Sequence, residues 1–358
     1  METKKVPAII SDIDGVLAHW PYPTLRTPDA INFIRQPLKE LDPTNFADED
    51  TRLPFVLLTN GGGCTEEEKI HDVNEILGLK RGVQFNADEI VLCHSPLKSI
   101  IRENYQDRLI LVSGYKDLHS TMKSCNVEKY ILIDEYCSLY PSLVPFGSYP
   151  REPNPELVSK IQKRLGFENT DFLKEPLQVH AIFLLADPFK WEENIQVILD
   201  LLSTPDGKIA KTMPTIGPET HIPIYSCSHD QFSRLSFRLP RIVFGAFNDT
   251  LKMLYKQVYQ RDMELRFVCK PEKITFDYAK QLALKNTKYE ISKFYMIGDN
   301  PNADIKGANQ AGWESILVRT GVFQGAENDP TNPAKYVVDD FYEAIKLICK
   351  LENISCPL

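Results

Sequence analysis

The chain has 358 residues, of which 43% are hydrophobic and 25% are charged, a composition typical of a globular protein of about two domains. Its 41 basic and 49 acidic residues give a net charge of -8. Because Lys and Arg form no block or stripe, no nucleic-acid partner is indicated. No apolar run reaches the ~18 residues that a membrane-spanning helix requires, so no membrane insertion is expected.

The eight cysteines form no CxxC pair, and no Cys/His cluster has the spacing of a zinc site. We therefore expect reduced thiols. The N-terminal sequence METKKVPAII contains no apolar signal core. The first strand is predicted to begin near Val6, which leaves no room for a cleaved presequence, so a cytoplasmic location is predicted.

Short apolar runs alternate with helical stretches along most of the chain, which predicts an α/β fold with parallel sheets. Helical spacing of apolar residues predicts helices over 65–77, 191–202 and 247–260. The predicted strands are 6–11, 53–58, 108–112, 130–133, 180–185, 222–225, 265–268, 294–297 and 315–318.

Two carboxylates, Asp12 and Asp14, follow the first predicted strand. In an extended segment, residues i and i+2 point to the same side. Two anions placed there repel each other unless a cation lies between them or one of them is protonated. Taken alone, the pattern fits a solvated acidic turn equally well.

The second predicted strand ends in Thr59-Asn60-Gly61-Gly62-Gly63. A hydroxyl, an amide and backbone N–H groups without side chains can cradle a phosphate ahead of a helix. A flexible turn is the alternative interpretation.

Lys270 follows the strand predicted at 265–268. A lysine at that place can neutralise a phosphate and keep a neighbouring carboxylate ionised, although a single Lys-Pro pair is more often plain surface sequence.

After the strand predicted at 294–297 come Asp299 and Asp304. Carboxylates are hard oxygen ligands suited to Mg²⁺, and a helix cap is the alternative.

All four segments fall at the carboxyl ends of predicted parallel strands, where ligands bind in open α/β sheets. In chain order they resemble the four motifs of the haloacid dehalogenase superfamily: Asp12 to Gly15 the first, Thr59 the second, Lys270 the third, and Asp299 with Asp304 the fourth. The runs Leu58 to Gly61, Gly298 to Ile305 and Ala311 to Trp313 are similar to subfamily IIA. The run Leu57 to Gly63 is similar to the branch of that subfamily typified by the cat eye syndrome critical region protein, and so are Ile222 to Tyr225, Gly245 to Phe247 and Arg319 to Val322.

This resemblance implies a Rossmann-like three-layer α/β/α core with an inserted α/β cap domain. The core is expected over residues 1–88 and 239–358, and the cap over 89–238. It also implies a phosphatase that acts on a small phosphorylated metabolite, and it leaves the oligomeric state open.

In the mechanism that the resemblance implies, Asp12 attacks phosphorus and forms an aspartyl-phosphate, and Asp14 acts as general acid and then general base. Lys270 offsets charge, and Asp304 orients Lys270 or a metal-bound water. The phosphate would be held by Thr59, Asn60, Gly61 and Lys270. The Mg²⁺ cofactor would be held by Asp12, the Asp14 backbone carbonyl and Asp299.

The sequence departs from the family pattern in three places. Cys269 stands where most relatives have glycine, and His19-Trp20 stands where they usually have Arg-Gly. At the end of the cap, Ser228-His229-Asp230 replaces the Asn-Gln-Asp or Asn-Pro-Asp of many relatives. Asp230 is either a substrate-facing residue or a turn residue.

Two other functions compete with a small-molecule phosphatase. One is a catalytically silent protein that uses the fold for binding or regulation, against which the full set of motif residues argues. The other is a dehalogenase, against which Asp14 argues, because cleavage of a carbon–halogen bond leaves no oxygen to protonate. The resemblance also admits a mitochondrial location.

Overall fold

The computed structural model describes residues 4–19, 21–47, 49–115, 117–166, 173–174, 176–233, 239 and 241–358. The strands are β1 Lys5–Ser11, β2 Ala18–His19, β3 Tyr22–Pro23, β4 Phe55–Leu58, β5 Ile90–Val91, β6 Ile110–Ser113, β7 Tyr130–Leu132, β8 Ala181–Leu184, β9 Ile224–Ser226, β10 Phe232–Ser233, β11 Arg241–Ile242, β12 Arg266–Phe267, β13 Glu290–Gly298, β14 Glu314–Val318 and β15 Tyr336–Val338.

Helices occupy most of the connections between these strands, as the sequence pattern predicted. None of the helices in the described ranges has the length and apolar character needed to cross a bilayer. The helices are α1 Thr27–Ile34, α2 Leu38–Leu41, α3 Pro43–Phe46, α4 Glu66–Leu77, α5 Leu97–Asn104, α6 Leu118–Ser124, α7 Ile133–Leu139, α8 Pro155–Leu165, α9 Trp191–Leu201, α10 Phe244–Tyr259, α11 Lys273–Lys285, α12 Lys306–Gln310 and α13 Phe341–Leu351.

The chain forms two compact units. Unit 1 contains Met1–Gly61, Glu66–Cys93 and Lys270–Leu358, and unit 2 contains Gly62–Thr65 and His94–Cys269. The divisions predicted after residues 88 and 238 differ from these limits. Residues 239–269 belong to unit 2 because β12 pairs with β9 and α10 packs against α9.

Unit 1 is built on a six-stranded sheet in the order β15-β14-β13-β1-β4-β5. Every neighbouring pair is parallel. Ser11 of β1 lies opposite Ile297 of β13 and Leu57 of β4. The loops that follow these three central strands therefore leave the sheet at the same edge, as expected from the sequence.

One core of unit 1 lies against the aliphatic side chains of β1 and β4, including Ile10 and Leu58. Trp313 packs at the border of this core, with its ring centre 5.3 Å from that of Phe276 and 5.1 Å from that of Phe294. Packing of small residues such as Ala279 and Ala283 of α11 lets the helix approach the sheet closely. Burial of this apolar surface fixes the strands whose ends carry the polar motifs.

Unit 2 has its own parallel sheet of five strands, in the order β12-β9-β8-β6-β7. Its first strand in the chain, β6, thus lies between the second and the third. The predicted α/β class with Rossmann-like parallel sheets is confirmed in both units.

Candidate active site

Asp12 is the first residue after β1, and its side chain is buried. One carboxylate oxygen, Oδ1, accepts a hydrogen bond of 2.7 Å from the backbone N–H of Ile13. The other, Oδ2, lies 2.9 Å from Nζ of Lys270. The carboxylate is thereby held in one orientation at the edge of the sheet.

Lys270 begins the return of the chain to unit 1, and it is only 1% exposed. Besides Asp12, its Nζ lies 2.6 Å from Oδ1 of Asp304 and donates to the carbonyl oxygen of Leu58 at 2.9 Å. An ammonium group has three N–H donors, and these three contacts match them. Burial lowers the pKa of Lys270, but Asp12 and Asp304 raise it more, so the net pKa is raised and the side chain stays charged.

Asn60 holds the backbone of Lys270. Its Oδ1 accepts the Lys270 N–H at 2.8 Å, and its Nδ2 donates to the Lys270 carbonyl at 3.2 Å. The amide that was predicted to contact phosphate is thus used to position the lysine, and the predicted contact with phosphate stays a prediction.

Thr59 connects the second motif to the first. Its Oγ1 donates to Oδ2 of Asp14 at 3.4 Å and accepts the N–H of Gly61 at 2.9 Å. Asp14 is exposed, in contrast to Asp12 two residues before it. The two acids of the first motif therefore differ in their access to solvent, which suits them to different tasks.

Asp304 shapes the loop after β13. Its Oδ2 accepts backbone N–H groups of Asp299 at 3.1 Å and of Asn300 at 3.0 Å, while Oδ1 faces Lys270. Both oxygens of this fully buried carboxylate are therefore engaged.

Asp299 lies against two glycines. A Cβ on Gly15, whose φ is +82°, would stand 2.6 Å from Oδ2 of Asp299, and a Cβ on Gly321 would overlap the same carboxylate. The N–H of Val322 donates to Oδ2 at 2.6 Å, and the Thr320 hydroxyl donates to the carbonyl of Gly15 at 2.6 Å. The sequence reasoning did not assign residues 320–322 to the site. Their run Arg-Thr-Gly-Val was the available signal.

Asp12, Asp299 and Asp304 each place a carboxylate oxygen within 4.8 Å of the others. Burial, and after it the neighbouring carboxylates, raise the pKa of Asp12 and of Asp299, while Lys270 lowers both. The net pKa of Asp12 is well above its usual range, and that of Asp299 is about 7. Three buried carboxylates facing one lysine lack positive charge. A divalent cation with oxygen ligands would supply it, so this donor set fits Mg²⁺.

Of the predicted site residues, the structure brings Asp12, Lys270 and Asp299 together and links Thr59 to Asp14 and Gly61. Cys269 is buried, as a small residue in the place of glycine allows, and Trp20 lies outside the described residues.

Asp230 forms part of a tight turn in unit 2. Its N–H donates to the Ser228 hydroxyl at 3.1 Å, and its carbonyl accepts the Gly245 N–H at 2.7 Å. These backbone contacts match the turn role, and the substrate-facing role stays a prediction.

The chain belongs to the haloacid dehalogenase-like hydrolases. Residues 9–128 match the family described as haloacid dehalogenase-like hydrolase, and residues 268–344 match the related HAD-hydrolase-like family. The first match contains Asp12, Asp14 and Thr59, and the second contains Lys270 and Asp299. The superfamily predicted from the motifs is confirmed, and the relatives support its subfamily IIA.

Two yeast proteins are similar over most of the chain. A cardiolipin synthase/mitochondrial hydrolase fusion protein of Schizosaccharomyces pombe is 30% identical over 83% of this chain, which spans 48% of that protein. A mitochondrial hydrolase of Saccharomyces cerevisiae is 25% identical over 96% of this chain and 95% of its own length.

Among solved structures, a glycerol phosphate phosphatase from Mycobacterium tuberculosis in complex with magnesium superposes with a TM-score of 0.55 and 14% identity. The match covers 93% of this chain and 75% of that one. At this identity the likeness concerns the fold.

Proposed function

We propose that this protein is a Mg²⁺-dependent phosphatase that hydrolyses a small phosphate ester through an aspartyl-phosphate on Asp12. The observation that carries the proposal is the contrast between two carboxylates. Asp12 is buried with an oxygen 2.9 Å from Lys270 Nζ, whereas Asp14 is exposed and held by Thr59.

In the proposed reaction, an ionised Asp12 oxygen forms a bond to phosphorus as the bond from phosphorus to the ester oxygen breaks. Asp14 gives its proton to the departing oxygen, so the alcohol leaves neutral. Asp14 then takes a proton from water, whose oxygen attacks phosphorus and returns the carboxylate of Asp12. Lys270 favours the ionised form of Asp12 by its charge.

Asp12, Asp299 and the Asp14 carbonyl are the groups that would hold Mg²⁺. When bound, the ion would neutralise phosphate oxygens and the excess of carboxylate charge. A structural neighbour in complex with magnesium supports this choice. Asp304 is a weaker candidate for a ligand, because its Oδ2 accepts two backbone N–H groups and its Oδ1 lies 2.6 Å from Nζ of Lys270.

Thr59 and Gly61 are proposed to bind the phosphate through the hydroxyl and a backbone N–H. Lys270, whose three N–H donors already have partners, would attract the phosphate by its charge. Positioning and charge neutralisation account for most of the catalysis of phosphoryl transfer. A small set of side chains is therefore sufficient.

The test is a screen of phosphate esters with purified protein and Mg²⁺, repeated with Asp12→Asn. We expect release of phosphate by the wild type and a loss of more than about 10³-fold in the variant, equivalent to about 4 kcal/mol of barrier. Activity of Asp12→Asn within about tenfold of the wild type would refute the covalent route. Absence of turnover with every ester would favour the silent binding protein.

The similarity to two proteins named as mitochondrial hydrolases supports the mitochondrial alternative for the location. We propose that location over the cytoplasmic one. Fractionation of cells with an antibody to the native protein tests it, and recovery in the cytosolic fraction would overturn it.

A further inference from the structure

The sheet of unit 2 reverses its direction of growth between β6 and β8. After β6 the chain moves outward to β7, and it then returns to place β8 on the other side of β6. Because crossovers between parallel strands are right-handed, their helices cover opposite faces on the two sides of such a point. Open parallel sheets bind ligands in the crevice outside the carboxyl ends of the strands at such a point, here β6 and β8.

The two loops at this crevice contact each other through their backbones. The N–H of Tyr115 donates to the carbonyl of Asp187 at 3.0 Å. Gly114 has a φ of +148°, and a Cβ there would lie 2.8 Å from the backbone nitrogen of Ala186. A glycine is thus required for the loops to approach, and their relative position is fixed.

These loops carry an aromatic pair. The rings of Tyr115 and Phe189 are 4.8 Å apart at an angle of 38°, yet Phe189 remains 80% exposed. Tyr115 supports the Phe189 ring from one side, so a flat, apolar surface faces solvent at the crevice.

Asp187, whose backbone carbonyl accepts the Tyr115 N–H, also carries an unused acceptor. Within the described parts of the chain, its half-buried carboxylate has no hydrogen-bond or ion-pair partner, and burial alone raises its pKa to about 6. Asp200, whose pKa burial also raises to about 6, accepts a hydrogen bond of 2.9 Å from Gln196. A partly desolvated carboxylate without a donor would be stabilised by a donor from a ligand.

We infer that Tyr115, Asp187 and Phe189 form a binding site for a flat heteroaromatic ring with N–H donors, the chemistry of a nucleobase. The ring would lie on the exposed face of Phe189, as bases lie on aromatic side chains. Its N–H groups would donate to Asp187, which as a carboxylate only accepts. This ring site lies wholly within unit 2, and the inference does not depend on the proposed phosphatase reaction.

Binding of adenosine, cytidine and guanosine to the full chain, followed by calorimetry or ligand-observed NMR, tests the ring site. We expect at least one to bind with a Kd at or below about 1 mM. Phe189→Ala should weaken it at least about fivefold through lost stacking. Asp187→Asn should weaken it about tenfold through loss of a charged acceptor.

Two matched controls separate the ring site from general surface effects. Phe146→Ala removes another highly exposed phenylalanine of unit 2, and Asp200→Asn removes the other half-buried acid of raised pKa. Both should bind as the wild type does. Asp12→Asn should also bind normally, which distinguishes failure of the ring site from failure of the proposed reaction.

The N–H requirement is tested with N6,N6-dimethyladenosine, which keeps the ring and lacks the exocyclic donor. It should bind the wild type more weakly than adenosine does, and the difference should be smaller in Asp187→Asn, whose neutral amide oxygen is a weaker acceptor. The inference is overturned if no nucleoside binds, if Phe189→Ala and Asp187→Asn bind as well as the controls while their thermal unfolding is unchanged, or if the methyl groups make no difference.

Discussion

The Asn60 side chain forms hydrogen bonds with both the N–H and the carbonyl of the Lys270 backbone, at 2.8 and 3.2 Å. The Asn74 side chain forms the same pair of hydrogen bonds with the Phe85 backbone, both of 2.9 Å, away from the candidate site. Asn74 therefore provides a matched control for Asn60, because it makes the same two backbone hydrogen bonds outside the candidate site.

We predict that Asn60→Ala lowers kcat by about tenfold or more, because Lys270 then loses its fixed place beside Asp12. Asn74→Ala loses an equal pair of hydrogen bonds, each contributing about 1 kcal/mol to stability, and should keep its kcat. Steady-state kinetics and thermal unfolding of both variants check this. If the two variants lose stability and activity in parallel, Asn60 has no specific link to Lys270.

Asp14→Asn should separate the two halves of the reaction. With p-nitrophenyl phosphate the leaving group needs little protonation, so the aspartyl-phosphate should still form on Asp12. Its hydrolysis lacks the general base, so it should accumulate. Mass spectrometry after acid quench should find more adduct on Asp12 than in the wild type, and none in Asp12→Asn. Wild-type turnover of both good and poor leaving groups by Asp14→Asn would make that residue structural.

Mg²⁺ should stabilise the fold through the buried carboxylates of Asp12 and Asp299. At a free Mg²⁺ concentration 100 times its Kd the gain is about 2.7 kcal/mol, measured as a higher melting temperature than in EDTA. Asp299→Asn should lose this gain, whereas Asp277→Asn, which changes an exposed acid paired with Lys273, should keep it. Ca²⁺ should stabilise without supporting turnover, because its larger coordination shell disturbs in-line geometry. Equal melting temperatures in Mg²⁺ and EDTA would exclude the metal site.

Arg35 should be a major contributor to the stability of unit 1. It is 2% exposed, its two terminal nitrogens each lie 3.0 Å from an oxygen of Glu89, and its guanidinium lies 4.0 Å from the ring centre of Phe85. Arg35→Lys cannot form the two parallel hydrogen bonds to Glu89 and should therefore lower the stability of unit 1. Arg35→Met leaves the Glu89 carboxylate without its ion-pair partner and should lower the free energy of unfolding by about 3 kcal/mol or more.

Thermal unfolding, followed by tryptophan fluorescence including that of the buried Trp313 in unit 1, checks the Arg35 prediction. Glu89→Gln combined with Arg35→Met should destabilise less than the sum of the two single changes, since the pair is then removed together. Additive losses would mean that the two residues stabilise the unit independently.

The sequence indicated which residues would lie close together, because each of them directly follows a predicted parallel strand. A parallel sheet in register brings the residues after β1, β4 and β13 to one edge, whatever the separation in the chain. Asp12, Thr59 and Asp299 were found in this way. The residues that end these strands, such as 55–58 in β4 and 294–297 in β13, are continuous apolar runs, which is the clearest signal for a buried parallel strand.

Other features left no such pattern. The edge strands β5 and β15 are two and three residues long, too short for periodicity to register. The predicted strand at 265–268 was assigned to the core, yet β12 pairs with β9 in unit 2, because an apolar run does not specify its sheet. The burial of Arg35 and the amide contact of Asn60 depend on partners distant in sequence.

The position of β1 between β13 and β4 has a consequence for synthesis on the ribosome. On one side β1 is completed by β4, but its other neighbour, β13, is made only after the whole of unit 2. Until then β1 presents an unpaired apolar edge of the kind that recruits other chains. A prematurely terminated chain that ends before β13 would expose this edge permanently, so such fragments are expected to depend on chaperones or proteases. Unit 2, in contrast, has all five strands of its sheet once residue 267 has been synthesised.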